Sequence, residues 1–148
     1  LPMVSTATSG AKTTFKSVVD KSILSTTAQV KAAIGASGNV IVDDRTAEEF
    51  NGTSEKPVSP GHIKGAKNVN WEDLTTSTGA LKTKTELTAI FKKQGITADK
   101  KVILYCETSV RAGILFYALT AELGYKNVSV YDGALTVWQK TPTNPIEK

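Results

Sequence analysis

Short apolar runs alternate along this chain with segments whose apolar residues recur three and four positions apart. Val40, Ile41 and Val42 form one run that ends in Asp43 and Asp44, and a second, residues 102–105, ends directly at Cys106. A third, residues 128–131, follows Gly124 and stops at Asp132 and Gly133, and residues 68–71 form a less apolar fourth. All four are too short for helices and are bounded by turn formers, so they are expected as strands.

The intervening segments carry helix signals. Thr83 followed by Glu86 is a capping box, after which Leu87, Ile90 and Phe91 mark one helical face until Gly95. Thr46 and Glu49 repeat the capping pattern before Phe50, residues 112–123 give a longer apolar helix closed by Gly124, and residues 26–34 suit a further one. Strands alternating with helices imply crossover connections, hence a mostly parallel sheet covered on both faces: the expected class is α/β. Residues 52–60, 75–80 and everything after Lys140 read as surface loop or tail, and residues 1–24 as an extension or linker. The domain is expected over residues 25–140.

At 148 residues with 40% hydrophobic content, the chain suits one core of ordinary size. No apolar run approaches the roughly 18 residues of a membrane span. The net charge of +4 is spread over lysine doublets such as Lys92 and Lys93, without the clustered stripe that nucleic-acid binding requires. One cysteine and one histidine exclude an intramolecular disulfide and do not furnish a typical closed metal site, so neither metal nor cofactor is expected. The chain starts at Leu1 rather than at methionine, which fits removal of a signal peptide and export to the periplasm or beyond; a cytoplasmic protein with a preceding domain is the alternative.

The chemistry concentrates at Cys106. In open α/β sheets ligands bind beyond the carboxyl ends of the strands. Cys106 ends a strand there and a helix opens near Arg111, so the N–H groups of Glu107, Thr108, Ser109, Val110 and Arg111 can form an anion-binding cup. Nucleophilic sulfur chemistry needs a thiolate, which such dipoles and a neighbouring guanidinium favour. A lone cysteine at a strand end is otherwise a small buried hydrophobe.

The string YCETSVRAG resembles the active-site loop of rhodanese-type sulfurtransferases. Residues 41–50 (IVDDRTAEEF), 61–71 (GHIKGAKNVNW) and 131–138 (YDGALTVW) are similar to that family's other signatures, in the same order. The resemblance implies a three-layer rhodanese-like fold and a two-step cycle. Cys106 takes the outer sulfur of an anionic donor such as thiosulfate or polysulfide and passes it, as a persulfide, to a thiophilic acceptor: cyanide, a thiol or a protein. Arg111 is implied as the cation of the site, and residues 107–110 as the substrate-binding loop. Related phosphatases and arsenate reductases resemble C-x5-R proteins; here the spacing is C-x4-R, one residue short for a tetrahedral oxyanion. A binding or sensor module that keeps the loop as a pocket is the other class.

Supporting roles are expected for Asp43 and Arg45, whose charges at a strand end suit tying down the next loop, and for His62 as a loop-fixing residue rather than a general base. Trp138 is expected in the core, and alternation turns Tyr105 away from the site. Four positions depart from the pattern: Glu107 and Thr108 stand where well-known thiosulfate enzymes carry cations, Glu49 where some carry arginine, and Ala134 in place of the closing motif's second glycine. A less cationic pocket leaves polysulfide, a small persulfide or a protein partner as donors. The stretch 61–71 is closest to tandem two-domain sulfurtransferases, so a second domain outside this chain is a further expectation.

Overall fold

The structure, a computed structural model, describes residues 13–18, 20–55 and 61–148. Four strands form a parallel sheet: β1 (Asn39–Asp43), β3 (Lys67–Asn68), β4 (Lys101–Tyr105) and β5 (Val128–Val130), in the order β3-β1-β4-β5. The strong apolar runs make the central pair. In register, Val40, Ile41 and Val42 lie beside Val102, Ile103 and Leu104, and Asp43 beside Tyr105.

Because side chains alternate along a strand, this register divides the core in two. Val40, Val42, Val102 and Leu104 face one side, where helix α3 (Lys84–Lys93) adds Leu87 and Phe91 and helix α4 (Ala112–Tyr117) adds Ala112 and Leu115. Ile41, Ile103 and Tyr105 face the other, covered by Val30 and Ala33 of α1 (Thr27–Ala33) and by Leu135 and Trp138 of α5 (Ala134–Trp138). The mostly parallel sheet flanked by helices is the α/β arrangement the pattern implied. Capping boxes at Thr26, Thr46 and Thr83 start α1, the four-residue α2 (Ala47–Phe50) and α3, each with both reciprocal hydrogen bonds formed.

Four expectations are corrected. The strand expected over 68–71 is only Lys67–Asn68, and Trp71 starts a 3-10 turn (Trp71–Leu74) because the Asn70 side chain caps it. The helix expected over 112–123 changes at Ala118 into a π-helix (Ala118–Glu122), a widening accompanied by a hydrogen bond from Thr120 Oγ1 to the Phe116 carbonyl. The tail after Lys140 is not free surface: β6 (Ile146–Glu147) pairs antiparallel with β2 (His62–Ile63), and Trp138 Nε1 donates to the Pro145 carbonyl. The end of the expected N-terminal extension also joins the fold. Leu24 bridges to Val130, and the Ser25 N–H donates to the Val130 carbonyl. The expected extension at residues 1–12 and 19, and loop residues 56–60, lie outside the described residues. No helix among those described is long and apolar enough to cross a membrane.

Candidate active site

Cys106 follows β4 directly, and the chain from Cys106 to Arg111 is an irregular loop that opens into α4. Two supports hold the loop from the α5 side. The Cys106 carbonyl accepts the Leu135 N–H at 3.0 Å, and the Glu107 carbonyl accepts the N–H and hydroxyl of Thr136 at 3.1 and 2.6 Å. Ser109 takes a left-handed conformation, φ 67°, and its hydroxyl donates to the Tyr131 carbonyl at 2.6 Å. A non-glycine residue held in that region is strained, and here three hydrogen-bonded anchors sustain it.

The loop's amide groups point to its purpose. None of the N–H groups from Glu107 to Arg111 has a hydrogen-bond acceptor among the described residues. Consecutive unpaired N–H groups in a turn make an anion-binding concavity. Cys106 itself is 1% exposed, so the loop covers it. Thr108 and Val110 face solvent, and a small apolar hollow of about 140 Å³, lined by Ile23, Leu24, Ser109, Gly113, Phe116 and Val130, flanks the loop.

Arg111 closes the loop, and its guanidinium is engaged. It forms a two-pronged ion pair with Glu49, at 2.8 and 3.2 Å, and lies 3.7 Å from Glu107. The hydrogen bonds that Arg111 donates to Glu49 hold its guanidinium well above its usual range; burial opposes this, and the charges of Glu49 and Cys106 add to it. Glu49 is 1% exposed although it stands in the first turn of α2, where it also completes the capping box. In the sequence Glu49 stands out as the capping partner of Thr46 and as the position where an arginine is missing. The capping box was a signal of its place, but nothing local announces a partner 62 positions away.

Asp43 and Arg45 form a buried ion pair. Both are fully buried, Arg45 Nε and Nη2 donate to the Asp43 carboxylate at 2.7 to 3.1 Å, and Nη2 also donates to the Gly61 carbonyl. Burial pulls the Arg45 pKa down, and the Asp43 hydrogen bonds and charge more than offset it. His62 is stacked on the Phe50 ring at 3.6 Å, and its Nδ1 donates to the Phe50 carbonyl at 2.9 Å, which pins the segment after α2. Tyr105 turns to the other face, where its hydroxyl accepts the Ile63 N–H.

Asp44 was passed over in the sequence as the second acidic residue of a strand end. It is fully buried beside the loop, and among the described residues neither carboxylate oxygen has a hydrogen-bond partner. Burial pushes its pKa up to about 8, Asp43 and Glu49 push the same way, and Arg111 and Arg45 pull against them. A groove of about 430 Å³ at the opposite end of the sheet, lined by Lys64, Lys67, Lys93 and Lys100 among others, contains none of these groups. The loop brings together the sulfur of Cys106, the unpaired amides and the Arg111 guanidinium.

Residues 26–141 match the family described as the rhodanese-like domain. The chain is 37% identical over 118 residues to a putative thiosulfate sulfurtransferase of Haloferax volcanii, covering 75% of this chain and 41% of that protein. It is 41% identical over 110 residues to the 3-mercaptopyruvate sulfurtransferase of Escherichia coli, covering 72% and 38%. With the sulfur carrier protein TtuD of Thermus thermophilus it shares 34% over 128 residues, covering 81% and 44%. The chain thus spans less than half the length of these relatives. Among solved structures, the crystal structure of YnjE superposes with a TM-score of 0.77 at 27% identity, over 86% of this chain and 33% of that one. The anaerobic ergothioneine biosynthesis enzyme from Chlorobium limicola gives 0.79 at 23%, over 86% and 32%, a likeness of fold alone.

Proposed function

The chain belongs to the rhodanese-like domain family, and from that premise we propose that it is a sulfurtransferase that carries sulfur as a persulfide on Cys106. The observation that carries the reading is the loop 106–111: one sulfur, followed by five amide groups with no acceptor among the described residues, beside an anchored guanidinium. With thiosulfate, Cys106 as thiolate attacks the outer sulfur, the S–S bond of the donor breaks, and sulfite leaves with the electron pair. The loop amides then face the anionic outer sulfur of the persulfide, a preorganised stabilisation of charge that needs no reorganisation at the moment of transfer.

The charge of the site narrows the donor. Arg45 and Arg111 face Asp43, Glu49 and Glu107, so the loop is not a cationic trap for a dianion. This favours the singly charged donor for which the Escherichia coli relative is named over thiosulfate.

Intact-mass measurement tests the reading. After incubation with polysulfide, 3-mercaptopyruvate or thiosulfate, the protein is expected to gain one sulfur that cyanide removes, and Cys106→Ser to gain none. An unmodified wild type, or a Cys106→Ser protein that still transfers sulfur to cyanide, overturns it.

A further inference from the structure

Asp44 is placed by its backbone and left unexplained by its side chain. Its N–H donates to the Tyr105 carbonyl at 3.1 Å, in the peptide group that joins Tyr105 to Cys106, and its own carbonyl accepts the Trp71 N–H at 3.0 Å. It therefore lies one step beyond the Asp43–Tyr105 pair, beside Cys106 at the carboxyl end of the sheet. The carboxyl itself is fully buried, and no described residue gives either oxygen a hydrogen bond. An unpaired carboxylate in the interior is costly, and the usual resolution is that the group keeps its proton.

The surroundings favour that resolution. From its own strand end Asp44 faces Asp43 and Arg45, which bind each other; from α2 it faces Glu49, and from the loop Arg111, which are also bound to each other. Glu72 and Asp73, on the 3-10 turn packed against its backbone, are exposed. Burial outweighs the guanidinium groups and moves the pKa to about 8. A neutral carboxyl carries an O–H donor, and this one has no acceptor among the described residues next to a loop built for an anion.

We propose that Asp44 is the proton-holding residue of persulfide discharge, handing its proton to Cys106 Sγ as the outer sulfur leaves for a thiol acceptor and regaining it from that acceptor. The inference rests on the persulfide reading above. The acceptor sulfur forms a bond to the outer sulfur, and the bond between that sulfur and Sγ breaks with its electron pair left on Sγ. The Asp44 proton moves to Sγ, and the proton of the acceptor thiol moves to the Asp44 carboxylate. A persulfide anion and a thiol thus become the Cys106 thiol and a new persulfide anion. The acceptor sulfur is oxidised as Cys106 is reduced, and no outside oxidant is needed.

The test compares acceptors in single turnover on the full chain loaded by polysulfide. 2-Mercaptoethanol brings a proton, and the sulfite dianion brings none. Asp44→Asn is expected to load one sulfur as the wild type does and, because Sγ leaves with its electron pair to either acceptor, to discharge about 100-fold more slowly at neutral pH to the thiol and more slowly to sulfite as well. The ratio of wild-type to variant thiol rates should fall towards one as pH rises through about 8. A second measurement needs no variant: the infrared difference spectrum between loaded and unloaded wild type should contain a protonated-carboxyl band that moves on loading. Normal loading with equal thiol rates, or a spectrum without that band, overturns this inference alone. A wild type that takes up no sulfur overturns the persulfide reading, and this inference with it.

Discussion

Asp43 and Asp44 stand side by side at the end of β1, both without solvent exposure, and only Asp43 has a guanidinium against it. Their difference follows from strand alternation: one carboxyl turns to the face where Arg45 folds back, the other to the face of the loop. Asp44 then sets a dependence of stability on pH. Its folded pKa is raised to about 8 from the ordinary value of 3.8, so across that interval the folded chain holds a proton that the unfolded chain has lost. The contribution is fully present below the unfolded pKa and is lost as pH rises towards 8, at about 1.4 kcal/mol per pH unit for one proton. Replacing Asp44 by Asn removes the slope. The melting temperature of Asp44→Asn relative to wild type is therefore expected to climb between pH of about 5 and about 8, and a constant difference would contradict the assignment. In the sequence the two acidic residues were visible and the Asp43–Arg45 pairing could be anticipated from their spacing. The Arg111–Glu49 pair could not, because it depends on how α2 packs over the loop.

Among the elements, those with a capping box or a dense apolar run are legible in the sequence: α1, α2, α3, β1, β4 and β5. Those that were missed are short and owe their existence to tertiary partners. The helix α5 has five residues and no side-chain cap, and it begins at Ala134 with φ 53°; neither periodicity nor a cap signals it. The pair β2 and β6 has two residues per strand, and its pairing joins positions more than 80 apart in the chain. Gly61 shows why that small sheet matters. It has φ 123°, its carbonyl receives Arg45 Nη2, and a Cβ there would collide with the backbone carbonyl of Glu147. Gly61→Ala should thus strain its own backbone, push β6 from β2 and disturb the buried Asp43–Arg45 pair. A loss of about 2 kcal/mol or more in chemical denaturation is expected. Wild-type stability in Gly61→Ala would show that the C-terminal strand contributes nothing to holding Arg45.

Over the whole molecule, charge and chemistry sit at opposite ends of the sheet. Lys93 and Lys100 border the groove at the end where β1 and β4 begin, whereas Cys106 lies where β4 ends, about 20 Å from Lys100 at some 3.3 Å per strand residue. The net charge of +4 thus overstates what an arriving anion meets, since a Debye length is about 10 Å at 0.1 M salt. Near the sulfur, Asp43, Glu49 and Glu107 outnumber Arg45 and Arg111, and a doubly charged donor is repelled at short range. Loading by thiosulfate should therefore accelerate slightly as salt is added, the reverse of electrostatic steering. Glu107→Gln, which removes a charge worth about 1 kcal/mol at contact distance in water, should raise the thiosulfate loading rate about fivefold, while the double substitution of Lys93 and Lys100 by Gln leaves it unchanged. Rapid-mixing measurements of loading across a salt series decide the matter. If salt slows the wild type and the lysine substitutions abolish that slowing, the distant patch steers the donor and the local balance of carboxylates does not govern its capture.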